Sequence, residues 1–191
     1  MVRIAGLVIC LAACGFSSRT GSGDAPIDTA AVIDAMATMD APVSFLIEAE
    51  AYSSTTMQLG HQWTAVTDEA GYSGGSFMQC LPNSGAACSP ADQVPTCSAS
   101  LIYQIEIAQP GAYFFHARML GRTTADNSIW YGVDGVLDLN AMGLPNDGVW
   151  HWTTGDSFSL AAGAHTLHIW QREIGARVDV VALTLSSTPP P

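Results

Sequence analysis

The stretch LIYQIEIAQPGAYFFHARML, residues 101–120, decides the fold class of this chain. Apolar side chains alternate with other residues on each side of Pro110-Gly111, and this period of two is typical of a β-strand with one buried face. A Pro-Gly pair between two such runs indicates a β-hairpin. The residues predicted to face the core are Leu101, Tyr103, Ile105, Ile107, Tyr113, Phe115, Ala117 and Met119.

Similar runs extend in both directions from this stretch. Alternation begins at 45–52 and returns at 128–133, 149–153, 157–160, 165–172 and 178–185, with turn residues at Asp134-Gly135, Asp147-Gly148 and Ala162-Gly163. No segment after residue 44 has the length and caps of a ten-residue helix. Short strands at this spacing predict an all-β fold, an antiparallel β-sandwich of the jelly-roll type. We assign residues 44–186 to this domain and 187–191 to a disordered tail.

The N-terminus has the pattern of an export signal. Arg3 precedes the apolar run 4–13, which is too short to span a bilayer but suits the core of a signal peptide. The run ends in Leu11-Ala12-Ala13-Cys14, which resembles the lipobox of bacterial lipoproteins. The resemblance implies a signal peptide at 1–13, a lipid on Cys14, and attachment to the bacterial cell envelope, at the outer membrane or cell surface. The alternative is an ordinary signal peptide with an incidental Cys14.

Residues 14–43 have the composition of a tether. Small polar residues come first, and Asp-Ala steps then recur between two prolines. Acidic residues at this spacing repel one another and keep a segment solvated. The sequence therefore predicts a flexible acidic tether between the lipid and the domain.

The overall charge excludes one class of partner. The 191-residue chain has 17 Asp and Glu against six Arg and no Lys, a formal net charge of −11. Binding to nucleic-acid phosphates needs clustered Lys and Arg, so we expect no nucleic-acid partner. We expect the protein to contact a membrane through its lipid anchor alone. We also expect a monomer.

Three cysteines remain if Cys10 leaves with the signal peptide and Cys14 is lipidated. Cys80, Cys88 and Cys97 all fall in one segment rich in Pro and Gly, and an exported protein can form disulfides. One bridge has three possible pairings, among which the sequence does not decide. We expect Cys80–Cys97, which would close the base of a long loop. A zinc site is not expected, because three Cys without a nearby His lack the fourth ligand.

From Glu48 to Leu185, the order of motifs resembles carbohydrate-binding module families 6 and 35, which are galactose-binding-like jelly rolls. The matching segments are 47–50, 73–78, 103–118, 126–135, 150–152 and 162–179. The resemblance implies a non-catalytic domain whose partner is a polysaccharide or glycan. It also implies a ligand cleft built from loops at one end of the sandwich. Residues 80–97 depart from the usual pattern of these families and form a loop that covers or extends a binding face.

Two acidic residues of the first run are candidates for a metal site. Glu48 and Glu50 are two positions apart, so a strand would place both carboxylates on one face. The resemblance implies that these two and Asp179 hold a structural Ca²⁺, an ion that prefers hard oxygen ligands. The alternatives are a solvated acidic edge or a pairing of Asp179 with Arg177.

Sugar binding needs flat aromatic faces together with amide or carboxylate groups. Tyr72 lies in a glycine-rich loop, Asn127 opens a strand, and Trp150 and Trp152 alternate beside another loop. The resemblance implies a sugar site formed by these four residues. The alternative for each Trp is packing in the core.

The predicted function is that of a membrane-anchored surface lipoprotein displaying a non-catalytic, Ca²⁺-stabilised carbohydrate-binding module. The alternative is a structural or adhesion lipoprotein on the same fold, with a protein or matrix partner and no sugar site. A polysaccharide-active enzyme is the third possibility, but no carboxylate pair is apparent in the sequence. Residues 71–75 fit the pattern G-x-S-x-G without the strand–turn–helix context that a serine nucleophile requires.

Overall fold

The computed structural model describes residues 44–191, which form two antiparallel β-sheets packed face to face. The all-β sandwich predicted from the sequence is confirmed. The predicted signal peptide at 1–13, Cys14 and the predicted tether at 14–43 lie outside the described residues. Among the residues that the structure describes, no helix is long and apolar enough to cross a membrane.

Strands are numbered in chain order. The first sheet contains β1 (Ser44–Glu48), β3 (Gln62–Val66), β4 (Phe77–Leu81), β6 (Gly111–Leu120), β10 (Trp150–Leu160) and β12 (Arg177–Thr184). Five of them lie side by side in the order β10-β6-β12-β4-β3, and β1 pairs with β12. Because β12 pairs with three strands, its side chains lie at the centre of this sheet.

The second sheet contains the remaining strands, which are β2 (Ser54–Thr56), β5 (Ser100–Ile107), β7 (Ser128–Val133), β8 (Val136–Leu137), β9 (Met142–Gly143) and β11 (Gly163–Gln171). Its order is β2-β5-β11-β7-β8, with β9 also paired to β7. The described helices are short: α1 (Val94–Cys97) and two 3₁₀ turns at Ala49–Ala51 and Ala91–Gln93.

The core lies between the sheets and is filled by the residues that the alternation selects. All eight inward-facing residues predicted in 101–120 are buried. However, the predicted hairpin at Pro110-Gly111 is wrong, because β5 belongs to the second sheet and β6 to the first. Their apolar faces meet across the core, so the turn carries the chain from one sheet to the other.

The predicted turn at Asp134-Gly135 does form a hairpin. It joins β7 to β8, with Val133 opposite Val136. Asp134 has φ 52° and Gly135 has φ 75°, and left-handed backbone at both positions is what a two-residue hairpin loop requires. The dipeptide therefore turns the chain within one sheet.

The disulfide joins Cys88 to Cys97, so the expected Cys80–Cys97 pairing is wrong. Cys80 lies on β4, opposite Trp63 on β3, and its side chain is fully buried in the core as a free thiol. Burial raises the pKa of the Cys80 thiol to about 12, which keeps it protonated. The strand directs Cys80 inwards, away from the loop that contains the other two cysteines.

The disulfide loop packs against the outer face of the second sheet. Cys88 and Val94 form a small buried cluster with Trp130 of β7, and the Trp130 indole donates a hydrogen bond to the Cys88 carbonyl at 2.8 Å. Trp170 of β11 is half-buried against the same cluster. This loop therefore covers one sheet face and leaves the outer face of the first sheet for other contacts.

Residues 187–191, the segment for which the sequence predicts disorder, lie against the outer face of the first sheet. Thr154 contacts the carbonyl of Ser187, and Pro191 reaches a groove beside Trp152. The chain thus turns back over the sheet after β12 ends at Thr184.

Candidate functional site

A groove with a volume of about 360 Å³ crosses the outer face of the first sheet. Ile47, Ala117 and Val181 face the core, so alternation turns their neighbours outwards on the same strands. Four strands (β1, β6, β10 and β12) and the loop between β3 and β4 thereby contribute side chains to one concave surface. The groove is lined by Leu46, Glu48, Gly71, Tyr72, Ser73, Arg118, Trp152, Val180 and Pro191.

An aromatic cluster lies next to this groove, and Tyr72 belongs to both. Trp150 packs edge-on against the buried Phe77 with ring centroids 5.2 Å apart, and Tyr72 lies 5.6 Å from Phe77 on centroids. The Trp150 indole also donates a hydrogen bond of 3.0 Å to the Ala70 carbonyl. Both rings are thus held in place while parts of them stay exposed, as a stacking surface for a ligand requires.

Arg118 connects the aromatic cluster to the acidic residues. Its guanidinium carbon lies 5.6 Å from the centre of the Trp150 ring, a cation–π distance. The same guanidinium forms a salt bridge with Asp179, whose side chain is fully buried, and donates to the Gly71 carbonyl at 2.9 Å. Arg118 therefore fixes the position of the loop that carries Tyr72.

The three acidic residues converge on the loop 73–76. The Ser73 amide donates to Asp179 at 2.9 Å, its hydroxyl donates to Glu48 at 2.8 Å, and the amides of Gly75 and Ser76 donate to Glu50 at 2.9 and 3.1 Å. Because carboxylates accept and amides donate, the acids hold the loop in a single conformation.

Gly74 is required at the centre of this arrangement. Its φ is +64°, and a Cβ at this position would lie 2.7 Å from Glu50 Oε1 and 3.0 Å from Glu48 Oε2. Any side chain would therefore displace both carboxylates. The loop thus brings Glu48 and Glu50 to one site. The predicted strand over 45–52 is wrong in part, because β1 ends at Glu48 and Glu50 lies in the 3₁₀ turn.

The carboxylate oxygens of Glu48, Glu50 and Asp179 are the type of ligand that binds a divalent cation. Three carboxylates face one guanidinium, which leaves two negative charges unbalanced. Glu50 Oε2 is buried and has no hydrogen-bond partner within residues 44–191. In the described part of the chain, however, no three acidic, His or Cys side chains lie close enough together to hold a metal ion as they stand. Binding an ion here would need the carboxylates to turn from their present donors.

Asn127 is not brought to the groove. Its backbone amide donates to Glu173 at 2.8 Å, and its side-chain amide donates to the Leu144 carbonyl at 2.7 Å. The side chain therefore joins two loops, and the structure groups only Tyr72, Trp150 and Trp152 of the four residues predicted to bind sugar.

A network of ion pairs fills the rim next to Asn127. Arg122 pairs with Glu69 through two hydrogen bonds, and Arg177 pairs with Asp126 at 2.8 Å and approaches Glu69 at 3.5 Å. The hydrogen bond from Arg122 lowers the pKa of Glu69. Arg177 therefore belongs to this network. The alternative pairing of Asp179 with Arg177 is wrong, because Asp179 forms its salt bridge with Arg118.

Sequence reasoning missed Arg118, Leu46 and Val180 as groove residues. Each lies on a strand whose alternate positions were predicted to be buried, so their outward direction was available from the period of two. The sequence did not show that these residues lie close together, since this depends on β1 and β6 both pairing with β12.

No protein-family model and no curated protein matches this chain in sequence. Solved structures match it in fold. The native family 35 carbohydrate-binding module from Clostridium thermocellum superposes with a TM-score of 0.56 at 16% identity, over 73% of this chain and 96% of that one. This is the fold of the family 35 carbohydrate-binding modules.

Two further matches to the family 35 fold are an enzyme and a module bound to a sugar. A β-(1,4)-mannanase of Podospora anserina that contains a family 35 module gives a TM-score of 0.55 at 19% identity, over 78% of this chain but only 29% of the enzyme. A family 35 module solved with a disaccharide containing glucuronic acid gives 0.53 at 16% identity, over 73% of this chain and 91% of that one. The resemblance predicted from the motif order is confirmed at the level of the fold.

Proposed function

We propose that this protein is a non-catalytic glycan-binding lipoprotein of the bacterial envelope, anchored through Cys14. The observation that carries the proposal is the groove on the first sheet, where Trp152 and Tyr72 lie beside Arg118 on a family 35 fold. Aromatic faces stack on the C–H surfaces of sugar rings, and an arginine donates hydrogen bonds to hydroxyl or carboxylate oxygens. These are the two contacts that sugar recognition needs.

The test begins with a glycan array and ends with Trp152→Ala. If Trp152 stacks on the sugar, its removal is expected to weaken binding to the best glycan at least tenfold, about 1.4 kcal/mol or more. Isothermal titration calorimetry measures the loss. Trp170→Ala is the matched control, since Trp170 is also half-buried but lies on the second sheet.

The array also separates the alternatives. A folded protein that binds no glycan would contradict the proposal and favour adhesion to a protein or matrix partner. Release of reducing ends from any glycan would instead indicate an enzyme. Equal affinity of Trp152→Ala and the parent chain would move the sugar site away from this groove.

We further propose that Ca²⁺ binds among Glu48, Glu50 and Asp179 and stabilises the loop 73–76. The unbalanced charge of these acids and the unpartnered Glu50 Oε2 support the proposal. Carboxylate oxygens are the ligands that Ca²⁺ prefers, and an ion bound only by the folded state raises its stability. The ion would hold the loop that carries Tyr72, and it would take no part in chemistry.

Calcium is expected to raise the melting temperature of the parent chain by about 5–10 °C over the chelated protein, at an ion concentration near 100 times its dissociation constant. Differential scanning calorimetry with Ca²⁺ and with a chelator measures the shift. Glu50→Gln is expected to abolish it, whereas Glu106→Gln, at an exposed carboxylate of β5, is expected to keep it. A parent chain with one melting temperature in both buffers would contradict the site.

A further inference from the structure

The segment after β12 is held on the outer face of the first sheet by two hydrogen bonds to the Ser186 carbonyl, and it passes close to Thr154. The Thr184 hydroxyl donates to the Ser186 carbonyl at 2.6 Å, and His116 Nε2 lies 3.1 Å from the same oxygen. The Thr154 hydroxyl lies 3.5 Å from the Ser187 carbonyl. These contacts come from β12, β6 and β10, so the segment runs across the strands towards the groove.

His116 is a built anchor for this segment. Its side chain is fully buried, and burial lowers the pKa of the imidazole, although the hydrogen bond to Ser186 acts in the opposite direction. Because a carbonyl oxygen only accepts, the neutral ring carries its proton on Nε2 and leaves Nδ1 to accept from Thr154, 2.9 Å away. His116 Nε2 also lies 2.9 Å from the Thr184 hydroxyl oxygen, so its proton is shared between Thr184 and the Ser186 carbonyl when the segment is in place.

Beyond the anchor, the segment is Thr188-Pro189-Pro190-Pro191. Pro189 and Pro190 are half-buried, and Pro191 lines the groove together with Trp152 and Tyr72. Consecutive prolines adopt an extended polyproline helix before binding, so little conformational entropy is lost when they dock on aromatic side chains.

We propose that the groove is a docking site for this proline-rich segment, residues 186–191, and that the segment narrows the groove and competes with other ligands until it is displaced. The occupant is part of the same chain, so its local concentration is in the millimolar range and weak contacts suffice to fill the site. Where the occupant is in place for most of the time, an outside ligand binds with an affinity reduced by the open fraction. The consequence for glycans rests on the proposed function.

The direct test uses a synthetic peptide with the sequence of residues 187–191 and a chain lacking residues 187–191. The peptide is expected to bind the shortened chain saturably and the full chain at least tenfold more weakly, because the full chain carries its own occupant. Trp152→Ala in the shortened chain is expected to abolish peptide binding, and Trp170→Ala to leave it unchanged. Tryptophan fluorescence follows the titrations.

A second variant keeps the length of the segment. Replacing Pro189, Pro190 and Pro191 by glycine removes the stiffness and is expected to give peptide binding close to that of the shortened chain. Equal peptide binding to the full and shortened chains, or none to either, would overturn the inference.

A glycan titration separates this outcome from the proposed function. With mannohexaose and a glucuronic-acid disaccharide as probes, the shortened chain is expected to bind the better probe about tenfold more tightly than the full chain. If Trp152→Ala abolishes glycan binding but removal of residues 187–191 does not change it, the inference is overturned and the proposed function stands. Peptide binding without binding of any glycan would overturn the function alone.

Discussion

Replacing Arg118 by methionine is expected to lower the free energy of unfolding by about 3–5 kcal/mol, more than any other single change in the groove. The Asp179 side chain has no exposed surface, and Arg118 is its only basic partner among the described residues. Removing one member of a buried pair leaves the other charge desolvated and unbalanced, which costs far more than the pair contributes. Urea denaturation of the two chains measures the difference.

The matched control is Arg122→Met. Arg122 pairs with Glu69 through two hydrogen bonds, but its side chain is 53% exposed. Water replaces a lost partner at such a surface, so the expected loss is about 1 kcal/mol or less. Equal losses in the two variants would show that the salt bridge of Arg118 behaves as a surface pair.

A double-mutant cycle separates the salt bridge from the packing of the arginine stem. Asp179→Asn removes the buried charge while the Ser73 amide keeps an oxygen to donate to. In that background, Arg118→Met is expected to cost clearly less than in the parent chain, since no charge is left unpaired. An unchanged cost would assign the effect of Arg118 to its packing over Trp150.

The alternation of residues decided which side chains are buried, and it did so without reference to strand pairing. Tyr103 and Tyr113 face the same core, as predicted, although their strands belong to different sheets. A period of two specifies a face but not a neighbour, because any partner strand buries that face equally well. The turn at Pro110-Gly111 was therefore located correctly and interpreted wrongly.

The same distinction explains the candidate site. Glu48, Glu50 and Asp179 were predicted as one cluster from the resemblance; all three accept hydrogen bonds from the loop 73–76, but as they stand they do not lie close enough together to hold an ion. Tyr72, Trp150 and Trp152 meet, since each lies on or beside a strand end at one side of the first sheet. Asn127 does not, because a polar residue at the start of a strand can equally well connect its loop to a neighbouring one, as the hydrogen bond to Leu144 shows.

The disulfide was the hardest feature to predict, since its pairing depends on where β4 ends. Cys80 lies inside β4 and turns inwards, whereas Cys88 and Cys97 follow in the loop and its short helix. Nothing in the spacing of three cysteines distinguishes a strand residue from a loop residue. The inward-facing pattern of residues 77–81 was the missing information.

Replacing Cys88 and Cys97 by serine is expected to lower the free energy of unfolding by about 2–3 kcal/mol, since the bridge closes a short loop in the unfolded chain. The substitution also affects the folded state, because the loop covers Trp130 and accepts its indole hydrogen bond. The tryptophan emission of the variant is therefore expected to shift to the red as water reaches the second sheet. Thermal melts and fluorescence spectra measure both effects.

Cys80→Ala and a reducing agent complete this experiment. The parent chain and Cys80→Ala are both expected to lose stability on reduction, whereas the variant without Cys88 and Cys97 is expected to be insensitive to it. The Cys80 thiol itself is expected to resist thiol reagents until the protein unfolds, because it is fully buried and its pKa of about 12 keeps it protonated. Loss of reduction sensitivity in Cys80→Ala would show that Cys80 belongs to the bridge.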